Sequence, residues 1–122
     1  MSAELVEKAE RLAASAYAPY SRYLVGAVVR SRDGREFGGV NVENAAYPLG
    51  VCAERVAITA AVVAGCRPGD LDAIGITASP CGGCRQWLHE FRIGEVSYRG
   101  EDGEVHTTSP AALLPGAWEL PA

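Results

Sequence analysis

The sequence predicts a three-layer α/β/α sandwich built on a five-stranded mixed sheet. Three observations carry this. Five short β-prone segments are separated by stretches with helical periodicity placed before, between and after them, which is the pattern of helices packed on a sheet. The first two strands are joined at Asp33-Gly34, a tight turn that permits only antiparallel pairing. A chain of 122 residues has room for one domain spanning 1–122, and a domain of that size buries around two-thirds of its unfolded surface, enough for a true core.

Taken in order, residues 3–16 read as an amphipathic helix: Leu5, Ala9, Leu12, Ala13 and Ala16 share one face, and Glu4 and Glu7 suit the N-terminal end. Leu24 to Arg30 reads as a strand and Arg35 to Val40 as its hairpin partner. Asn41 to Gly50, with Pro48, is a loop leading into a helix that starts at Cys52, runs through Val56 to Ala64 and stops at Gly65. Leu71 to Thr77 is a strand carrying Ile74 and Ile76. A second helix begins at Cys81 and continues through Trp87, Leu88 and Phe91 to Gly94. Glu95 to Arg99 and Val105 to Thr108 form a last strand pair around the turn Glu101-Asp102-Gly103, and Ser109-Pro110 caps a short terminal helix over Ala111 to Leu114.

Composition narrows the function classes. The apolar fraction is 48% and mean hydropathy is near zero, at +0.04, as expected for a soluble globular chain with some apolar surface to cover by self-association. The longest apolar run is far short of a membrane span. Met1-Ser2-Ala3-Glu4 has no basic segment followed by an apolar run, so no signal peptide is expected and the cytoplasm is. In that reducing compartment four cysteines read as metal ligands before disulfides. Net charge is −4 and the eleven basic residues are scattered, which argues against a nucleic-acid polymer as partner.

Chemistry concentrates in Cys52-Ala53-Glu54-Arg55 and Pro80-Cys81-Gly82-Gly83-Cys84. Residues two apart in mid-helix point to opposite sides, but at a first turn both Cys52 and Glu54 can look out past the helix end. The positive end of the helix dipole there favours thiolate and carboxylate. Cys81 and Cys84, three apart, share a face at another helix start. Two helix tips can therefore deliver three sulfurs and a carboxylate to one point, a donor set suited to zinc. The fourth cysteine, Cys66, falls at the far end of its helix, roughly 18 Å of helix rise from Cys52. Three ligands leave a fourth position for water, the mark of a catalytic zinc. Three thiolates give the site a net negative charge, which Arg55 and the helix ends are placed to offset. Glu54 then serves as the proton shuttle. Two other classes fit parts of the pattern. A structural zinc module needs a fourth protein ligand and gives Glu54 no task, and a Cys-x-x-Cys thiol oxidoreductase leaves Cys52 unexplained.

Glutamate beside one ligand and Pro-Cys-x-x-Cys for the others is the arrangement of zinc deaminases. Cys52-Ala53-Glu54-Arg55 with Ser79-Pro80-Cys81, Cys84, Arg85 and Gln86 resembles the cytidine deaminase family, of the small homotetrameric kind. Further matches are Tyr17-Ala18-Pro19-Tyr20-Ser21, Val25-Gly26-Ala27, Asn41-Val42-Glu43-Asn44-Ala45 and Leu113-Leu114-Pro115, so the likeness runs from Tyr17 to Trp118. The resemblance implies one zinc per subunit and hydrolytic deamination of cytidine and 2'-deoxycytidine in pyrimidine salvage, by zinc-activated water attacking C4. It also implies that Asn41 and Glu43 bind the sugar hydroxyls, although loop capping is an equally natural use of such residues. Tyr23 stands where the family has a phenylalanine stacked on the base. Ala45, Tyr47 and Trp118 correspond to residues that enter a neighbouring subunit's pocket. The chain departs from the family in a shorter connection before Ser79, which leaves a modified cytosine nucleoside such as blasticidin S as an alternative substrate. His89 and His106 read as surface residues, and Trp87, Leu88 and Phe91 as core or interface.

Overall fold

The computed structural model describes residues 1–121. Helix α1 (Ser2–Ala13) is followed by strands β1 (Gly26–Ser31) and β2 (Glu36–Val40), helix α2 (Ala53–Val63), strand β3 (Leu71–Ile76), helix α3 (Gly82–Glu90), strands β4 (Glu95–Arg99) and β5 (Val105–Thr108), and helix α4 (Pro110–Leu113). The sheet order is β2-β1-β3-β4-β5. Only β3 and β4 pair in parallel, across the α3 crossover; the other neighbours are antiparallel. This is the expected five-stranded mixed sheet.

Side chains sort by strand alternation. Ala27, Val29, Ile74, Ile76 and Val96 join Ala57, Ile58, Ala61 and Leu88 in the larger core under α2 and α3. Val28 and Ala73 face the other way, against Leu5 and Ala9 of α1. Helix α1 thus covers one face of the sheet and α2 and α3 the other. Close approach depends on glycine at two strand positions. A Cβ at Gly75 would lie 2.5 Å from the Leu5 carbonyl carbon and the Val6 nitrogen, and one at Gly39 would lie 2.4 Å from the Ala53 oxygen and the Ala57 nitrogen.

Several element ends differ from the sequence reading. Helix α1 stops at Ala13 rather than 16, and β1 starts at Gly26 rather than Leu24. The first hairpin turns over four residues, not two: the Gly34 nitrogen donates to the Ser31 carbonyl, the Ser31 nitrogen donates to the Arg35 carbonyl, and Gly34 takes φ +92°. Helix α3 ends at Glu90, short of Gly94. Arg92, at φ +52°, takes the left-handed position usually given to glycine, and the Arg92 and Ile93 nitrogens donate to the His89 and Leu88 carbonyls. A 3-10 turn at Tyr47–Leu49 lies within the expected loop, and α4 begins one residue early, at Pro110.

Topology explains why two helix starts meet. Strands β2 and β3 both pair antiparallel with β1, so they run in the same direction on either side of it. Each leads from its carboxyl end into a helix on the same face. The N-termini of α2 and α3 therefore emerge at one edge of the sheet, the edge where α/β proteins bind ligands.

Candidate active site

At that edge Cys52 is the N-cap of α2 and Cys81 the N-cap of α3, both in extended backbone. The Sγ atoms of Cys52, Cys81 and Cys84 all lie within 4.8 Å of one another, and those of Cys52 and Cys81 are 3.9 Å apart. A disulfide needs about 2.05 Å, and all four cysteines are free. A tetrahedron with Zn–S bonds of about 2.3 Å separates its sulfurs by roughly 3.8 Å, so the three cysteines fit one zinc ion. Among the described residues no other group of three His, Cys, Asp or Glu donors converges in this way. Cys66 is buried at the other end of α2, where its nitrogen donates to the Ala61 carbonyl, and takes no part.

Hydrogen bonding from Cys84 is the largest influence on Cys52 and lowers its thiol to about 6, with Arg55 also assisting. Cys84 moves the opposite way, held upward by its bond to Cys52, by burial and by the charge of Glu54. For Arg55, burial alone would weaken the hold on its proton, but hydrogen bonding to Cys84 and the charge of the three sulfurs push it up. A Cβ at Gly83 would fall 2.3 Å from an Arg55 terminal nitrogen, so the guanidinium lies against the turn between the two α3 ligands. Its Nε is buried and has no hydrogen-bond partner among the described residues. A cation is packed beside the anionic donors, as the donor set requires.

Glu54 is only 4% exposed. Burial is the main cause that raises its carboxyl above the ordinary range, and the Cys52 charge adds to it. With Cys52 and Cys81 it lines a cavity of about 190 Å³, together with Tyr23, Val25, Asn41, Ala53, Ala78 and Ser79. The structure thus brings Cys52, Cys81, Glu54, Tyr23 and Asn41 to one cavity, with Cys84 buried behind it. The Asn41 side chain accepts from the Val25 nitrogen at 2.8 Å and donates to the Tyr23 carbonyl at 2.8 Å.

Glu43 lies elsewhere. It lines a second cavity, of about 420 Å³, with Tyr20, Ser21, Asn44, Tyr47 and Gly50. Its Oε1 accepts from the Tyr20 and Ser21 nitrogens at 3.0 and 3.1 Å, and its Oε2 from the Ser21 hydroxyl. Those bonds, the Ser21 hydroxyl first, hold the carboxyl below its usual range. Ala45, Tyr47 and Trp118 do not line the Glu54 cavity; Tyr47 is 76% and Trp118 69% exposed. His106 is exposed and meets Asp102, whereas His89, expected on the surface, is half-buried against Glu119. Leu88 is buried, and Trp87 and Phe91 stack beside it. Ser21 stands in a motif the sequence singles out, but its bond to Glu43 was not legible there, because the two are 22 residues apart.

Residues 1–99 match the family model described as the cytidine and deoxycytidylate deaminase zinc-binding region. A cytidine deaminase of Sporosarcina psychrophila is 38% identical over 94% of this chain and 89% of its own. One from Mycobacterium tuberculosis is 39% identical over 92% and 85%. The crystal structure of a cytidine deaminase from Burkholderia pseudomallei superposes with a TM-score of 0.87 at 42% identity, covering 97% of this chain and 99% of that one. At that level of identity, over lengths so closely matched, the chain belongs to the cytidine and deoxycytidylate deaminase family.

Proposed function

We propose that residues 1–122 form one deaminase domain that hydrolyses cytidine and 2'-deoxycytidine to uridine and 2'-deoxyuridine, releasing ammonia. The observation that carries this reading is a buried carboxyl, Glu54, in one small cavity with Cys52 and Cys81. Cys52, Cys81 and Cys84 would hold the zinc, which supplies Lewis acidity that lowers the pKa of water towards 7. Glu54 moves the protons. Its burial favours the protonated carboxyl, so an Oε can hand a proton to the ring nitrogen N3, take up in turn the two protons of the water that adds at C4, and pass the first of these to the departing 4-amino group. One water is added, one ammonia leaves, and Glu54 ends as it began.

Tyr23 offers an aromatic face to the base, with Asn41 reaching the sugar from the same cavity. Glu43 already accepts one hydroxyl, that of Ser21, and a sugar hydroxyl can make the same bond. The exposure of Ala45, Tyr47 and Trp118, outside the single-chain cavity, supports a role in a neighbouring subunit's site. The assembly proposed is a homotetramer with shared active sites, working in pyrimidine salvage in the cytoplasm. No helix among the described residues is long and apolar enough to cross a membrane.

An ammonia-release assay on cytidine, deoxycytidine, 5-methylcytidine and blasticidin S tests the reading. Cytidine and deoxycytidine are expected to react; silence on both, with turnover of blasticidin S, overturns it. Glu54→Gln should keep its zinc and lose about 10²- to 10⁴-fold in turnover, the usual worth of a general acid–base.

A further inference from the structure

We infer that Arg85 is a positioning residue, holding the turn that presents Cys81 to the metal and the wall that faces the substrate. The three ligands are not equally supported. Cys84 is buried inside α3, and Cys52 begins a helix that packs tightly on Gly39 of β2. Cys81 is exposed and follows residues 78–80, where the Pro80 side chain is buried but the backbone makes few hydrogen bonds. Thr77 is tied to Gly26 by two hydrogen bonds, from the Thr77 nitrogen to the Gly26 carbonyl at 3.0 Å and from the Gly26 nitrogen to the Thr77 hydroxyl at 3.1 Å. Between Thr77 and Cys81, among the described residues, every hydrogen bond to Ala78, Ser79 or Pro80 comes from Arg85.

The guanidinium is used as a three-way clamp. Its Nε donates to the Pro80 carbonyl at 2.9 Å and one terminal nitrogen to the Ser79 hydroxyl at 3.2 Å. The other terminal nitrogen donates to the Leu113 carbonyl at 3.0 Å, capping the last turn of α4. The rigid fork of arginine suits three acceptors in fixed directions, and lysine presents only a point charge. Because Arg85 lies four residues into the helix that Cys81 starts, the clamp ties the turn to its own helix and to α4 together. Ala78 and Ser79 line the cavity with Glu54, so the same clamp sets the ligand and one wall of the pocket. The statement about the metal rests on the three-cysteine zinc site, and the statement about the wall on the proposed nucleoside reaction.

Zinc-loaded wild type, Arg85→Gln, Arg85→Lys and Arg32→Gln are compared by competition with a chromophoric chelator. Arg32 is the control: it too donates to a backbone carbonyl, that of Gly69 at 2.7 Å, in a cavity it shares with Cys66 and with none of the three ligands. Arg85→Gln should bind zinc about 10- to 100-fold more weakly, the usual effect of removing a group that orients a metal ligand. Arg85→Lys should fall between, and it keeps a folded charged variant available if the glutamine fails to fold. Arg32→Gln should hold zinc like wild type. With zinc in excess, Arg85→Gln should raise KM more than it lowers kcat. Unchanged zinc affinity in both Arg85 variants, or an equal loss in Arg32→Gln, overturns the inference. Absence of ammonia from any cytosine nucleoside would sink the proposed reaction, while the chelator comparison, which uses no substrate, still decides the role of Arg85.

Discussion

Glu95 shows how one carboxylate ties distant parts of the chain. Its Oε1 accepts from the Ser2 nitrogen at 2.9 Å and the Ser2 hydroxyl at 2.5 Å, and that hydroxyl meets Ser97, which in turn meets Thr107. The Ser2 hydroxyl bond, then the Ser2 backbone bond, hold the Glu95 carboxyl below its ordinary range. In the window between that lowered value and the ordinary glutamate pKa of about 4.3, the unfolded chain binds more protons than the folded one. The resulting stability is present above that window and is lost as pH falls through the folded value. Glu95→Gln should therefore be less stable than wild type near neutrality and converge with it in acid. Urea unfolding across that range measures this, and a gap that widened in acid would refute it. Glu54 is the opposite case, a carboxyl pushed up by burial. The two differ because one is met by donors and the other by apolar walls and a neighbouring thiolate.

Helices α1 and α2 pack on opposite faces of the sheet by the same device, a strand glycine with helix backbone directly above it. The consequences of filling the two gaps differ. Gly75→Ala and Gly39→Ala should each cost about 1–3 kcal/mol, the range for overpacking, because the nearest neighbours are backbone atoms that cannot swing away. Only Gly39→Ala lifts the first turns of α2, which carry Cys52 and Glu54. Thermal unfolding should register both variants, and zinc retained after chelator treatment should fall in Gly39→Ala alone. Equal metal loss in both would mean that global stability, and not the seating of α2, governs the site.

For the molecule as a whole, the unburied aromatic surface is the feature to account for. Tyr17, Tyr20, Tyr23, Tyr47 and Trp118 are each at least half exposed in the single chain. Aromatic side chains of that kind gather at interfaces, where their broad apolar faces are covered. Trp118 is not loose: its carbonyl accepts from Gln86 at 2.9 Å, and Glu119 meets His89 on the same helix at 2.8 Å. The proposed tetramer leads to a concentration dependence. Sizing chromatography should place the protein near four times its 12.8 kDa chain mass. Specific activity should fall on dilution below the assembly range, and Trp118→Ala should lower it further. Full activity in a demonstrated monomer would contradict shared sites.

Local chemistry made the candidate metal set legible in the sequence alone. Cys52 and Glu54 at one helix start, with Cys81 and Cys84 three apart at another, are short-range patterns whose meaning depends on helix geometry and donor chemistry alone. The succession of strands and helices along the chain was legible for the same reason, since period-two alternation and turn residues act over a few positions. Long-range relations were not. That Glu43 faces Ser21 and a cavity apart from Glu54, that Arg92 ends α3 in place of Gly94, and that Arg85 supplies the hydrogen bonds to Ser79 and Pro80 depend on which segments the sheet brings side by side. Such contacts join residues far apart in the chain, or turn on backbone angles that residue type only biases. Residue type and spacing determined which groups are equipped for the proposed chemistry; the shared direction of β2 and β3 decided that they meet.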